Sequence, residues 1–213
     1  MRNVKVLGLL NEGKIEELKK MLQDEIYQES LKGKSNAKKR YTAMKKYFGY
    51  YNSGRAALQK PCIVEFEGEK YISFTNGYSL ALTKENVGEI ELFDENTGTY
   101  PDATRLISFD GEKREFDICE VIAKAKSQGY KLKKSEVGYG YRYLMKYEDA
   151  YFKVGLLDAT FGLIDDGKLA TAYHEKGPRN KLTIVTNIGV AVIMPVFVDS
   201  DPKEDGIIVV EVE

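Results

Sequence analysis

The hydrophobic period of this chain changes at Pro61, and that change limits the folds open to it. Before Pro61, apolar residues recur at helical spacing; after it they alternate with a period near two. Ile15, Leu18, Leu22 and Ile26 form one stripe, with Lys14, Glu16, Lys19 and Lys20 off it and Asn11 as the N-cap. Residues 3–10, rich in Val and Leu, read as a short strand ahead of this helix. A breaker from Lys32 to Asn36 leads to a second helix, in which Ala37, Tyr41, Met44, Phe48 and Tyr51 share a face. All-helical and all-strand architectures are both excluded by this split.

Beyond Pro61 the strands come with turn signals. Cys62 to Phe66 and Tyr71 to Phe74 flank Glu67-Gly68-Glu69, a hairpin. Tyr78 to Leu82 and Glu89 to Phe93 read as further strands, the first entered through Asn76-Gly77, a tight turn with positive φ. Leu106 to Phe109 and Arg114 to Phe116 flank Asp110-Gly111, a second hairpin signal. Asp117 and Glu120 then form a capping box for a helix carrying Val121, Ile122 and Ala125 inward and ending near Gly129. Strands follow at Tyr141 to Met145 and Tyr151 to Val154, a helix at Leu156 to Ile164, and strands at Leu169 to His174, Leu182 to Thr186 and Val190 to Val198. Ile207 to Val212 adds an edge strand. The expected fold class is α+β: two tandem units of antiparallel sheet covered by helices, residues 1–103 and 104–213.

A chain of 213 residues with 43% hydrophobic content, 15 Tyr and 9 Phe can build a sizeable core. Cys62 and Cys119 follow no metal or redox spacing and read as reduced core thiols of a cytoplasmic protein without a membrane-length apolar run. The single histidine, His174, lies in a strand-like run, so a Ser/His or Cys/His mechanism would have to pass through it; no cofactor, metal or catalytic residue is expected. The net charge of −1 hides an asymmetry. Residues 1–60 hold 14 Lys and Arg against 6 Asp and Glu, and the rest hold 18 against 27. One basic surface for a polyanion and an acidic surface elsewhere would account for it, as would plain solvation of helix faces. Lys38, Lys39, Arg40, Lys45 and Lys46, interleaved with Tyr41, Tyr47 and Tyr50, are the candidate DNA contacts, with Lys124 and Lys126 in the second half; Lys131, Lys133 and Lys134 extend that local basic cluster.

Three short runs stand out together. Thr75-Asn76-Gly77-Tyr78-Ser79-Leu80-Ala81 resembles the Thr-Asp-Gly-His-Arg-Leu-Ala run of the bacterial DNA polymerase sliding clamp. Tyr100 to Ile107 resembles that family's Phe-Pro-Asp-Tyr-Arg-Arg-Val-Leu, and Val192 to Val196 its near-terminal Val-Val-Met-Pro-Met. The likeness spans roughly residues 60–198. It implies a DNA clamp-like fold, and a surface pocket that takes a short linear peptide of a DNA polymerase or another replication protein. By position, that pocket is lined by Thr75, Gly77, Tyr78, Leu80, Pro101, Arg105, Leu106, Val192, Ile193, Met194, Pro195 and Val196. Met, Pro and branched aliphatics suit an adaptable apolar groove, and Arg105 can receive a polar or terminal group. The same residue types serve plain core packing.

This chain departs from the family pattern at Ser79 (Arg), Asn76 (Asp) and Ala103 (an aromatic), and continues 17 residues past Val196. It has room for two domains where a bacterial clamp has three, so a ring would need several copies. The resemblance implies a short, divergent version of bacteriophage or prophage type, acting as a processivity factor with non-sequence-specific DNA contact. The alternatives are a DNA-binding or regulatory phage protein that never encircles DNA, and a metal-dependent nuclease pairing Asp102 with Asp166 and Lys168. Asp166-Gly167 is equally explained by a turn.

Overall fold

The computed structural model describes residues 2–30, 35–50, 58–84, 91–94, 98–132 and 142–212. The chain forms two compact units, Met1–Lys39 and Arg40–Glu213. In the first, α1 (Arg2–Asn11) and α2 (Ile15–Ser30) pack on one another. Residues 3–10 are therefore helix and not the strand expected. Val6 and Leu9, three apart, are half-buried, and Gly13 at φ 68 closes the turn while Lys14 N–H donates to Leu9 O at 2.9 Å. Along α2 the stripe has helical spacing, but only Leu18 is buried; Ile15, Leu22 and Ile26 are exposed.

The second unit takes in the chain from Arg40, within α3 (Ser35–Tyr50). Seven antiparallel strands form its main sheet: β1 (Cys62–Phe66), β2 (Glu69–Thr75), β3 (Ser79–Thr83), β4 (Glu112–Phe116), β7 (Ala170–His174), β8 (Leu182–Thr186) and β9 (Gly189–Ile193). Their order is β1-β2-β3-β9-β8-β7-β4. A second sheet places β5 (Tyr143–Tyr147) between β6 (Ala150–Lys153), antiparallel, and β10 (Ile208–Glu211), parallel, so the last strand is an edge as expected. Strands on both sides of residue 103 thus share one sheet, joined where Ser79 pairs with Ile193, Leu80 with Val192 and Ala81 with Ala191. β3 and β9 are buried at every position.

Alternation along β3 sorts the two faces. Ser79 and Thr83 point to the side of α3 and α5 (Val154–Ile164), a helix with nine buried residues. Leu80 and Leu82 point to the other side, into a cluster with Tyr71, Ala103 and Val192, joined by half-buried Val64, Phe66 and Ile107. On the helix side, Ser79 ties three elements together. Tyr47 of α3 donates to Ser79 O at 3.0 Å, and Thr160 of α5 lies 3.0 Å from Ser79 Oγ. Asn76 Oδ1 accepts from Ser79 N at 2.8 Å and from Ser79 Oγ at 3.2 Å. The Ser79 hydroxyl is tolerated this deep because it is bonded to all three.

The Glu67-Gly68 hairpin is as expected, with φ 53 and 78 at its two central residues. The Asp110-Gly111 hairpin is not there. Residues 107–111 carry no strand, and β4 pairs with distant β7. Gly111, at φ 92, lies so close to the backbone of His174 that a Cβ would collide with its carbonyl. Asp117 caps α4 (Ile118–Ser127) by accepting from Glu120 N at 3.0 Å, and Gly129 follows at φ 91. Cys119, expected in the core, is exposed on α4, whereas Cys62 is buried. Residues 91–94 are irregular, not a strand; Phe93 N donates to Pro61 O at 2.8 Å and its ring rests against Tyr100. The strand expected from Val190 ends at Ile193, since Pro195 has no N–H for the ladder; Val196 instead bridges to Tyr151 of β6. Lys32 and Lys34 of the expected break, Tyr51, Glu89, Glu95, Asn96, Lys133, Lys134 and Tyr141 lie outside the described residues.

Two stability outcomes follow from these contacts. Ser79→Ala leaves the buried Thr160 hydroxyl without its partner and should cost about 1–3 kcal/mol in urea unfolding, with an unchanged denaturant slope. The Tyr100 hydroxyl donates to Ser73 O at 3.1 Å, and burial pushes its phenol from 10.0 up to about 12. The folded state therefore holds this proton more tightly than the unfolded chain. Its contribution is fully present below pH 10 and is lost as pH rises through the folded value, about 12. Between those limits Tyr100→Phe should flatten the fall of stability with pH by up to about 1.4 kcal/mol per unit. Equal slopes in the two proteins would contradict this assignment.

Candidate functional site

The three singled-out runs meet at the β3–β9 ladder. Asn76 Oδ1 accepts from Tyr78 N at 2.9 Å as well as from Ser79, which shapes the turn, and Gly77 takes φ 86. Met194 N donates to Tyr78 O at 2.9 Å, so the end of β9 is pinned to that turn. The Pro-Asp run arrives from a third direction. After Pro101 it winds into a single 3-10 turn, Ala103–Leu106, whose Ala103 packs with Leu80 and Val192. Ala103 stands where the family motif carries an aromatic, and at 8% exposure in this cluster a small side chain is what fits.

Beside this junction, on the sheet face away from α5, lies a pocket of about 210 Å³. Leu106 and Met194 line it, with Tyr173 and Thr183 as its floor and Asp110, Glu175, Arg179 and Lys181 bringing charge. Leu106 is 42% exposed. Phe109 stacks edge-on against Tyr173, with centroids 5.4 Å apart. The Arg179 guanidinium lies 5.1 Å from the centroid of Phe197, itself exposed.

The other expected lining residues are placed differently. Thr75, Leu80, Val192 and Ile193 are buried within the sheet, so they support the surface and do not open onto it. Tyr78 is half-buried, with the Lys153 ammonium 5.8 Å from its ring centroid. Pro195 and Val196 are half-buried, and Pro101 is exposed away from the lining. Arg105, the expected receiver of a polar group, is not part of the lining; its side chain is 83% exposed and its Nε donates to Asp102 at 2.6 Å. The hydrogen bond from Thr104 does most to hold the Asp102 carboxyl below its ordinary value; burial pushes it up, and the bond and charge of Arg105 help to keep it low. Sequence reading missed Tyr173, Thr183, Arg179 and Lys181. The signal for the first two was the period of β7 and β8, which puts Tyr173 on the face opposite His174 and pairs it with Thr183.

Both carboxylates of the nuclease alternative are engaged in turns. Asp166 Oδ2 accepts from Asn187 Nδ2 at 2.6 Å and its Oδ1 from Lys168 N at 3.0 Å; burial pushes Asp166 up, but these bonds together hold it below its ordinary value. Asp102 accepts from Thr104 and Arg105. Of the candidate DNA contacts, Lys38, Lys39, Lys45, Lys46, Lys124 and Lys126 are exposed, whereas Arg40 is buried at 7% and is no surface cation. Lys124 pairs with Glu120 at 3.0 Å. Tyr41 and Tyr47 are core residues, and the side chain of Tyr50 lies outside the described residues. Among the described residues no helix is long and apolar enough to cross a membrane.

No protein-family model and no curated protein matches the chain. Among solved structures it is similar to the DNA polymerase sliding clamp from Bacillus subtilis, with a TM-score of 0.48 at 14% identity over 75% of this chain. The chain spans 62% of the length of that clamp; its own architecture is mixed α+β, of antiparallel sheets and helices.

Proposed function

We propose that this protein is a clamp-like replication accessory protein that docks a short apolar peptide motif of a DNA polymerase or another replication protein. The observation that carries the reading is the convergence of the three runs. Residues 75–81, 100–107 and 192–196, far apart in sequence, meet around the Leu80–Val192 pair beside an open pocket. Within that pocket Leu106 and Met194 provide the apolar, adaptable wall, and Arg179 and Lys181 provide the positive charge that the resemblance assigns to Arg105. The peptide's apolar side chains enter between Leu106 and Met194, over Tyr173, and an acidic or carboxy-terminal group faces Arg179. Titration of a fluorescent clamp-binding peptide tests this. Leu106→Ala and Met194→Ala should each weaken binding about tenfold or more, while Arg105→Ala, tied to Asp102 in solvent, should change it less than about threefold. No saturable binding to wild type, or two folded pocket variants that bind as wild type does, would remove the reading.

On the same reading, DNA is held electrostatically, through exposed Lys45 and Lys46 of α3 and Lys126 of α4. Replacing Lys45 and Lys46 by Gln should lower the slope of log affinity against log salt by about one for each phosphate no longer neutralised. Sequence-selective binding that ignores salt would contradict it.

A further inference from the structure

His174 lies in β7 with its side chain fully buried, ringed edge-on by Tyr147 and Phe152 at 5.7 and 5.8 Å between centroids. Its Nδ1 sits 3.1 Å from Lys181 O. A carbonyl only accepts, so Nδ1 carries a proton, and in the neutral form of the ring the lone pair is at Nε2. That nitrogen has no hydrogen-bond partner. It faces Asp149 Oδ1 at 3.5 Å, and a carboxylate oxygen of Glu148 completes a group whose ligand atoms all lie within 4.8 Å of one another. Glu148 adds a second unpartnered atom. Arg114 holds its Oε1 at 3.2 Å, leaving Oε2 buried with nothing to bond. Three electron-pair donors therefore converge, Glu148 steadied by Arg114 and Asp149 by the Gly177 N–H, and a cation placed between them would bond all three.

We propose that Glu148, Asp149 and His174 form a binding site for one divalent transition-metal ion of the zinc class. Two carboxylates and a neutral imidazole supply two oxygens and one nitrogen with a charge of −2, part of which the Arg114 guanidinium at Glu148 Oε1 already offsets. The 3.5 Å between Nε2 and Asp149 Oδ1 is long for a charge-assisted hydrogen bond, which favours about 2.7–2.9 Å. It is close to the edge of a tetrahedral site with bonds near 2.0–2.1 Å, which is about 3.3 Å. The Nδ1–H bond to Lys181 O is the usual support of a ligating histidine, fixing tautomer and ring plane. Glu148 and Asp149 are the turn of the β5–β6 hairpin, whereas His174 belongs to the seven-stranded sheet, so the ion staples the two sheets together. Asp149 is half exposed and leaves a route for the ion and a water in the fourth position.

The chain has one histidine, so its ring nitrogens report without ambiguity in a tag-free protein. One equivalent of Zn²⁺ should shift Nε2, leave the proton on Nδ1 and raise the melting temperature. Co²⁺ should give visible d–d bands at the same stoichiometry. By calorimetry, Asp149→Asn and Glu148→Gln should each weaken Zn²⁺ at least tenfold, while the control Glu120→Gln should not; melting in chelator confirms that each variant is folded. Absence of saturable Zn²⁺ binding, binding that both variants retain, or an Nε2 resonance indifferent to Zn²⁺ would each overturn the proposal.

Discussion

The β3–β9 ladder is the constraint on which the second unit depends. Without it, the β1-β2-β3 and β9-β8-β7-β4 groups would be two small sheets, each with an exposed apolar edge. With it, both strands are buried on both faces, and their backbone groups are consumed by one another. Such a strand admits few polar side chains, so the hydroxyl of Ser79 must be fully bonded, and Tyr47, Thr160 and Asn76 do this from three different elements. One seam thus fixes the sheet order, the seats of α3 and α5 on one face, and the Asn-Gly turn at its end. The conformational entropy of ordering that turn is offset by bonds the ladder already holds in place.

The same seam decides where a surface can open. On the helix side there is no room, because α3 and α5 cover Ser79 and Thr83. On the other side the 3-10 turn Ala103–Leu106 covers Leu80 and Val192 and stops short of β7 and β8. What remains uncovered is a strip over Tyr173 and Thr183, bounded by Leu106, Met194 and the loop that carries Arg179 and Lys181. The pocket is therefore the gap left by a short covering segment, and its apolar wall comes from residues at the ends of regular elements, where side chains are half free.

Much of this was legible in the sequence, for reasons particular residues make plain. Buried strands such as Leu182 to Thr186 announce themselves by composition, and Asp117 with Glu120, or Glu67 with Gly68, marks its turn through local chemistry that tertiary context does not override. The convergence of the three runs was readable only through the family resemblance, because nothing in Tyr100 to Ile107 by itself says which strand it will cover. Residues 3–10 misled because Val and Leu at both two- and three-residue spacing satisfy either period, and packing on α2 decides. Asp110-Gly111 misled for a different reason: Gly111 is required by the close approach of a distant strand at His174, and a glycine demanded by tertiary contact reads the same as one demanded by a turn. Arg179 and Lys181 were invisible, since a cation in a loop has no local signature.

Ser79 carries the sharpest consequence of the departure from the family motif. An arginine at a site 4% exposed, enclosed by the neutral groups of Tyr47, Thr160 and Asn76, would bury a guanidinium among hydroxyls and an amide, a change that costs several kcal/mol. The position that carries charge in the family run is here committed to the core, and Arg105 is committed to Asp102 in solvent. The positive charge at the pocket comes instead from Arg179 and Lys181, in the segment between β7 and β8. Its length is set by the β7–β8 register, and the His174 ring fixes the carbonyl of Lys181 at its far end. The cations therefore stand on a loop anchored from within the sheet, so their placement over Tyr173 follows from the packing of His174 beneath and not from the motif that first drew attention to this surface.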